Sequence, residues 1–263
     1  MATLEERFQA AAPVLAQLGR VDANGEPTVS PLFRDLAPDQ WRIIREACFG
    51  VLWTRDVLTT RQRSIVTIAS LAVLRRDENL RGHILSGLDV GLTPGEILEI
   101  MLQLLFYAGA PIANTALIVA DEVFKQRGLH VEPARIFDPT EDPEALYQRG
   151  LAMRARLFGD LPSVPDTATE PHKAMDRYVL EYLWGSVWNR PGLSPQDRVL
   201  IVLAAIATSG VDRIMGIYAR GALRLGLTQE QVEEVCFHLS FYIGIPLSLR
   251  AANAARQAIA ENQ

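Results

Sequence analysis

The chain has 263 residues, 49% of them apolar, with a formal charge of -5 and an isoelectric point near 5.5. That length supports one large or two modest domains with real cores. The apolar share excludes a disordered chain, and the absence of any run of Lys or Arg excludes a nucleic-acid footprint. Cys48 and Cys236 make neither a Cys-x-x-Cys pair nor a metal cluster and fit a reducing compartment. The opening MATLEERFQ is charged, unlike a secretory leader, and the longest apolar run, residues 199–211, is too short to cross a bilayer. The expectation is a soluble cytoplasmic protein with no membrane or nucleic-acid partner.

In chain order, apolar spacing predicts helices at about 39–53, 60–74, 78–90, 94–107 and 111–127, and again 135 residues later. TTRQ opens the helix at 60 and TPGE the helix at 94; both match the capping box, in which a Thr hydroxyl accepts from the first turn and an acid or amide reaches back. Glu96, which has the look of a catalytic carboxylate, is therefore read as a cap. Gly91, two residues before Thr93, suits the left-handed stop of the preceding helix. Gly109 before Pro111 suits a tight turn in which Gly takes a positive φ and Pro starts the next helix. No strand alternation is evident, so the class is all-α.

The second half repeats this syntax. GLTPGEILEIMLQLLFYAGAP, residues 91–111, returns as GLTQEQVEEVCFHLSFYIGIP, residues 226–246, at an offset of 135. In the same register Gly50 falls on Gly185, Trp53 on Trp188, Arg55 on Arg190, Arg63 on Arg198 and Asp77 on Asp212, with no gap from about 41 to 124. Upstream, RFQAAAPVLAQLG resembles YQRGLAMRARLFG only loosely. Period and copy number exclude a solenoid. The expected organisation is two tandem repeats, 1–136 and 137–263, joined by the Pro- and Asp-containing stretch 131–145.

The segments LYQRGLAMRARLFG, YLWGSVWNRPGLSPQDR and ENLRGHILSGLDVGLTPGEILEIMLQLLFYAGAPIANTAL resemble carboxymuconolactone decarboxylases, over nearly the whole chain and in two copies. The resemblance implies helical AhpD-like repeats that assemble as hexamers of single-repeat chains, so a fused pair would form a homotrimer. It implies a small-molecule substrate, a cyclic acid or lactone, and an enolate formed on loss of CO2, with isomerisation or cyclisation chemically adjacent. Such a carboxy-lyase reaction needs no metal and no organic cofactor. The superfamily's alkylhydroperoxidase branch uses Cys-x-x-Cys-x-x-x-His. His83 matches that His, but the thiol positions hold Arg76 and Asn79, and the second copy has Val211, Ile214 and Tyr218. A dithiol mechanism lacks its nucleophile here. A helical oligomer that has lost catalysis is the third reading.

Enolate chemistry needs a donor at the developing oxyanion and an acid for carbon, and a histidine near neutral pKa suits the proton transfer. His83 and His238 are the candidates; His130 and His172 lie near Pro-rich loops and are read as solvated. Glu78 is the nearest acid to His83, though about 140° round the helix from it; Asn79, one turn before, shares its face. On one helix per copy Gln103 pairs with Tyr107, and His238 with Tyr242. The expectation is a separate stripe in each copy: Asn79, His83, Gln103 and Tyr107 in one, Ile214, Tyr218, His238 and Tyr242 in the other. Trp53, Trp188, Arg55 and Arg190 complete the candidate substrate contacts. Their structural alternatives are core aromatics for the Trp pair and turn anchors for Tyr107 and Tyr242. Arg63 and Arg198 are read as buried partners of acids such as Asp77 and Asp212, or as carboxylate clamps.

Overall fold

The computed structural model describes residues 2–132, 134–159, 164–165 and 167–261; of the expected linker, Pro133 lies outside these. The described residues form thirteen α-helices and no strand, only one isolated bridge between Val21 and Pro27. The first copy contains α1 (Leu4–Gln17), α2 (Pro31–Leu36), α3 (Pro38–Ile43) running into a π-helical segment (Ile44–Leu52), α4 (Thr60–Val73), α5 (Asp77–Asp89), α6 (Pro94–Tyr107) and α7 (Ala110–Gln126). The second contains α8 (Pro143–Phe158), α9 (Glu170–Tyr178) running into a π-helical segment (Val179–Ser186), α10 (Pro195–Ser209), α11 (Asp212–Arg224), α12 (Gln229–Ile243) and α13 (Ile245–Ala260).

The caps form as expected. Thr59, Thr93 and Thr228 close reciprocal boxes with Gln62, Glu96 and Gln231. Ser194 accepts from the Asp197 N–H, but the shorter Asp197 side chain turns away to Arg61, which also bonds Glu96. Gly109 and Gly244 hold φ of 92° and 84° and end α6 and α12 before the Pro-initiated helices.

Helices α4 and α10 are buried nearly all round, from Arg63 to Ala72 and from Asp197 to Thr208, as central helices must be. They pack on each other, and the hairpin helices cross over: α6 of the first copy lies on α10 of the second, and α12 lies on α4. The two π-helical segments sit at equivalent places. At each, a neighbouring helix crosses a glycine so closely that a Cβ on Gly50 would lie 1.9 Å from the Arg7 carbonyl oxygen, and one on Gly185 2.1 Å from that of Leu146. Only glycine fits there.

Candidate active site

Exchange between the copies is fixed by charge. Arg63 and Arg198, fully buried at 0% exposure, each meet a glutamate from the other copy: Arg63 with Glu234 at 2.6 Å, Arg198 with Glu99 at 2.9 Å. The same carboxylates take Arg55 and Arg190, each at 2.8 Å. A buried guanidinium without its carboxylate is costly, so these pairs select which helices meet. Arg55 and Arg190, expected to greet substrate, are thus held by Glu234 and Glu99. The acid partners of Arg63 and Arg198 are those same glutamates, not Asp77 or Asp212; Asp212 pairs with Arg250 at 2.7 Å.

Two pseudo-equivalent centres result, each drawing on both copies, which corrects the stripe-by-stripe grouping. The first joins Trp53, Thr67 and His83 to His238 and Tyr242. Trp53 Nε1 donates to Tyr242 Oη at 3.0 Å, and its ring stacks on His83 at 6.1 Å and meets His238 edge-on at 5.0 Å. Both nitrogens of His238 are engaged, Nδ1 with Arg63 Nη1 at 3.3 Å and Nε2 with Thr67 Oγ1 at 2.8 Å. His238 is fully buried, and burial, then the Arg63 charge, keeps it neutral. It therefore has no free nitrogen for a proton-transfer role.

His83 is placed differently. It lines a cavity of about 530 Å³ with Arg20, Ser30, Phe33, Trp41 and Asn79, and its buried Nδ1 has no hydrogen-bond partner. Burial foremost, then the charge of Arg20, holds its pKa well below 6.5. Arg20 Nε donates to Ser86 Oγ at 3.0 Å, and its guanidinium lies 5.5 Å over the Phe49 ring. Its terminal nitrogens have no ion-pair or hydrogen-bond partner among the described residues. Asp89, on the same cavity, is taken by Arg127 at 2.8 Å. Arg20 thus stands on this cavity beside the His83 imidazole without a carboxylate counter-ion of its own. Asn79 and Glu78 lie on the cavity's rim; the Glu78 carboxylate is 91% exposed and within 3.7 Å of Arg81, which turns it away from a role beside the imidazole.

The second centre has the same frame and a different filling. Trp188 Nε1 donates to Tyr107 Oη at 3.0 Å, and Tyr107 Oη meets Tyr218 Oη at 2.7 Å. Gln103 accepts from Arg198 Nη1 at 3.0 Å, as His238 Nδ1 accepts from Arg63, but its amide nitrogen is buried without a partner. Phe158 packs edge-on against Tyr218 at 5.2 Å and Trp184 at 5.5 Å. Matched through the two glycine crossings, Phe158 stands where the first copy has Gly19. Tyr218 stands at the position of His83 and Phe158 packs beside it, so the expected substrate contacts Gln103, Trp188 and Tyr218 are buried and Tyr107 is packed against the core.

Sequence reasoning missed Arg20, Thr67 and Glu234. Thr67 carried a signal, a polar residue in the middle of an apolar helix, whereas Glu234 reads as a surface acid. Arg20 had none, because α1 lies beyond the gapless register. Cys48 and Cys236 are buried, and burial pushes both thiols up to about 12, which leaves no thiolate for peroxide chemistry. His130 and His172 are exposed. Among the described residues no three His, Cys, Asp or Glu side chains converge as a metal site, and no helix is long and apolar enough to cross a membrane.

The duplicated all-α scaffold holds a cavity lined by His83 and Arg20. The chain belongs to the carboxymuconolactone decarboxylase family, which it matches twice, over residues 38–122 and 173–257. It is 38% identical over 98 residues to a 4-carboxymuconolactone decarboxylase of Acinetobacter baylyi, covering 37% of this chain and 73% of that one. It is 28% identical over 126 residues to a nitrosuccinic acid decarboxylase of Metarhizium robertsii, covering 46% and 88%. Both relatives are about half as long as this chain. Family and relatives support a decarboxylase-like function.

Proposed function

We propose that the chain is a cofactor-independent decarboxylase of a small cyclic acid or lactone, working in the cavity beside His83. Arg20 binds the substrate carboxylate. The bond to that carboxylate breaks, CO2 leaves, and the bonding electrons pass into the conjugated carbonyl as an enolate. The enolate carbon then takes one proton, so the net reaction consumes one proton per CO2 released. His83 supplies it. The Arg20 charge helps keep the imidazole neutral; a bound carboxylate offsets that charge, so the ring can take a proton from solvent and hand it on. Half of the duplication serves as scaffold, and the fused repeats assemble as a homotrimer, in keeping with the half-length relatives and exposed apolar residues such as Ile43, Phe241 and Ile245.

The observation that carries this reading is that Arg20, which has no carboxylate partner, lines the same cavity as His83, whose Nδ1 has no hydrogen-bond partner. The test is CO2 release from 4-carboxymuconolactone, and from nitrosuccinate as a second probe, by the wild type and Arg20→Gln. Release by the wild type and its loss in the variant are expected. Wild-type release that Arg20→Gln leaves unchanged would place the chemistry elsewhere.

A further inference from the structure

The cavity beside His83 has a wall that the proposed reaction leaves unused. It is built by the short helices α2 and α3 and by the loop that leads to them. The loop opens at Arg20 and closes back on it: the Asp22 N–H donates to the Glu26 carbonyl at 2.7 Å, and the Thr28 N–H to the Arg20 carbonyl at 3.0 Å. Beyond this turn, Ser30, Phe33 and Trp41 line the same cavity as Arg20 and His83. Phe33 and Trp41 are stacked, with ring centroids 6.1 Å apart and planes 28° from parallel.

A core role does not account for these two rings. No residue of α2 or α3 is buried, and neither Phe33 nor Trp41 belongs to the hydrophobic core clusters. Both stay half-buried on the cavity. Phe49 adds a third ring to the lining, with the Arg20 guanidinium 5.5 Å from its centroid. The second copy lacks the Trp41 ring: that position falls on Asp176, which pairs with Arg154 at 3.3 Å. Most of the wall also lies outside the segment shared with the family, for Arg20, Ser30 and Phe33 precede residue 38, where the match begins.

At about 530 Å³ the cavity falls in the range of roughly 300–1,000 Å³ typical of sites that enclose drug-sized ligands, more room than a single-ring lactone acid fills. Aromatic linings favour aromatic ligands, because ring faces and edges attract one another beyond the area they bury. We infer that the substrate is an aryl-substituted carboxylic acid, with its carboxylate on Arg20 and its aromatic ring against Phe33 and Trp41. This rests on the reaction proposed above and names its substrate class: the skeleton that loses CO2 carries a ring that 4-carboxymuconolactone lacks.

The test is isothermal titration of the full chain with 3-phenylpropionate, 3-cyclohexylpropionate and propionate, unreactive probes with one carboxylate each. The phenyl probe should bind about 10-fold or more tightly than propionate, and more tightly than its saturated counterpart. Trp41→Leu and Phe33→Leu should each weaken the phenyl probe by about 10-fold and spare propionate, while Arg20→Gln weakens all three. Because α2 and α3 bury no residue, both leucine variants should fold with an unchanged melting temperature, and the wild-type probe series decides without them. Equal affinities for the phenyl and cyclohexyl probes, or a ring preference that both leucine variants keep, overturns the inference. So does a fall in mass by light scattering in the leucine variants with probe affinities intact, which would make the two rings contacts between copies of the chain. Titration is independent of turnover, so an absence of CO2 release bears on the proposed reaction alone and a missing ring preference on this inference alone.

Discussion

The two centres share a frame and differ in what fills it. In both, a tryptophan N–H holds a tyrosine hydroxyl at 3.0 Å, and a buried arginine is neutralised by a glutamate from the other copy. Around that frame one centre keeps Arg20, His83, Thr67 and His238, and opens on a cavity. The other has Phe158, Tyr218, Val202 and Gln103, and is closed by rings in edge contact. What recurs at both centres belongs to the fold; what occurs at one belongs to the chemistry. By that criterion Trp53, Tyr242 and the Arg–Glu pairs build the frame, and Arg20 and His83 are the residues that the proposed reaction draws on.

The comparison breaks most readily at His83. His83→Gln should cut turnover by about 10²–10⁴-fold with little change in melting temperature, because Nδ1 has no partner to lose. A fully active variant would remove the imidazole from the reaction. Next in size, Arg20→Gln should lower kcat/KM by about 10–100-fold, chiefly through KM, as expected for a charged hydrogen bond to a carboxylate. It should also raise the pKa of His83, whose neutrality Arg20 supports; a pKa that stays put or falls would contradict the proposed coupling.

A stability measurement sharpens the same contrast. His83 and His238 both have folded pKa values well below 6.5. As pH falls through 6.5 the unfolded chain gains protons that the native chain does not, so stability declines with a slope of up to about 1.4 kcal/mol per pH unit for each histidine. Above 6.5 both are neutral in both states and contribute nothing. His83→Gln should remove one histidine's share of that slope in urea melts between pH 6.5 and 5; an unchanged slope would mean that the ring already protonates in the fold. The smallest effect belongs to the closed centre. Tyr218→Phe removes one buried hydrogen bond, should cost about 1 kcal/mol of stability, and should leave turnover untouched.

Much of the fold is legible in the sequence, because its signals are local. Capping boxes, the Gly-x-Pro turns and the 135-residue register place α4 to α7 and α10 to α13 within two residues of their ends. Helices α1, α2 and α8 are not legible: α1 and α8 lie where the copies drift, and α2 is a six-residue helix opened by Pro31. The site is half legible. His83, His238, Trp53 and Tyr242 stand out as polar or aromatic residues on apolar faces, but which of them meet depends on helices crossing between copies, and that is encoded in Glu99 and Glu234, which look like surface acids. Arg20 is invisible to a comparison of repeats because its value lies in having no counterpart.

The claim that one centre works and the other supports it is tested most directly by counting ligands. Isothermal titration with an unreactive carboxylate analogue of the lactone should give one binding site per chain, abolished by Arg20→Gln and kept in Tyr218→Phe. Two sites per chain, or one that survives Arg20→Gln, would contradict it.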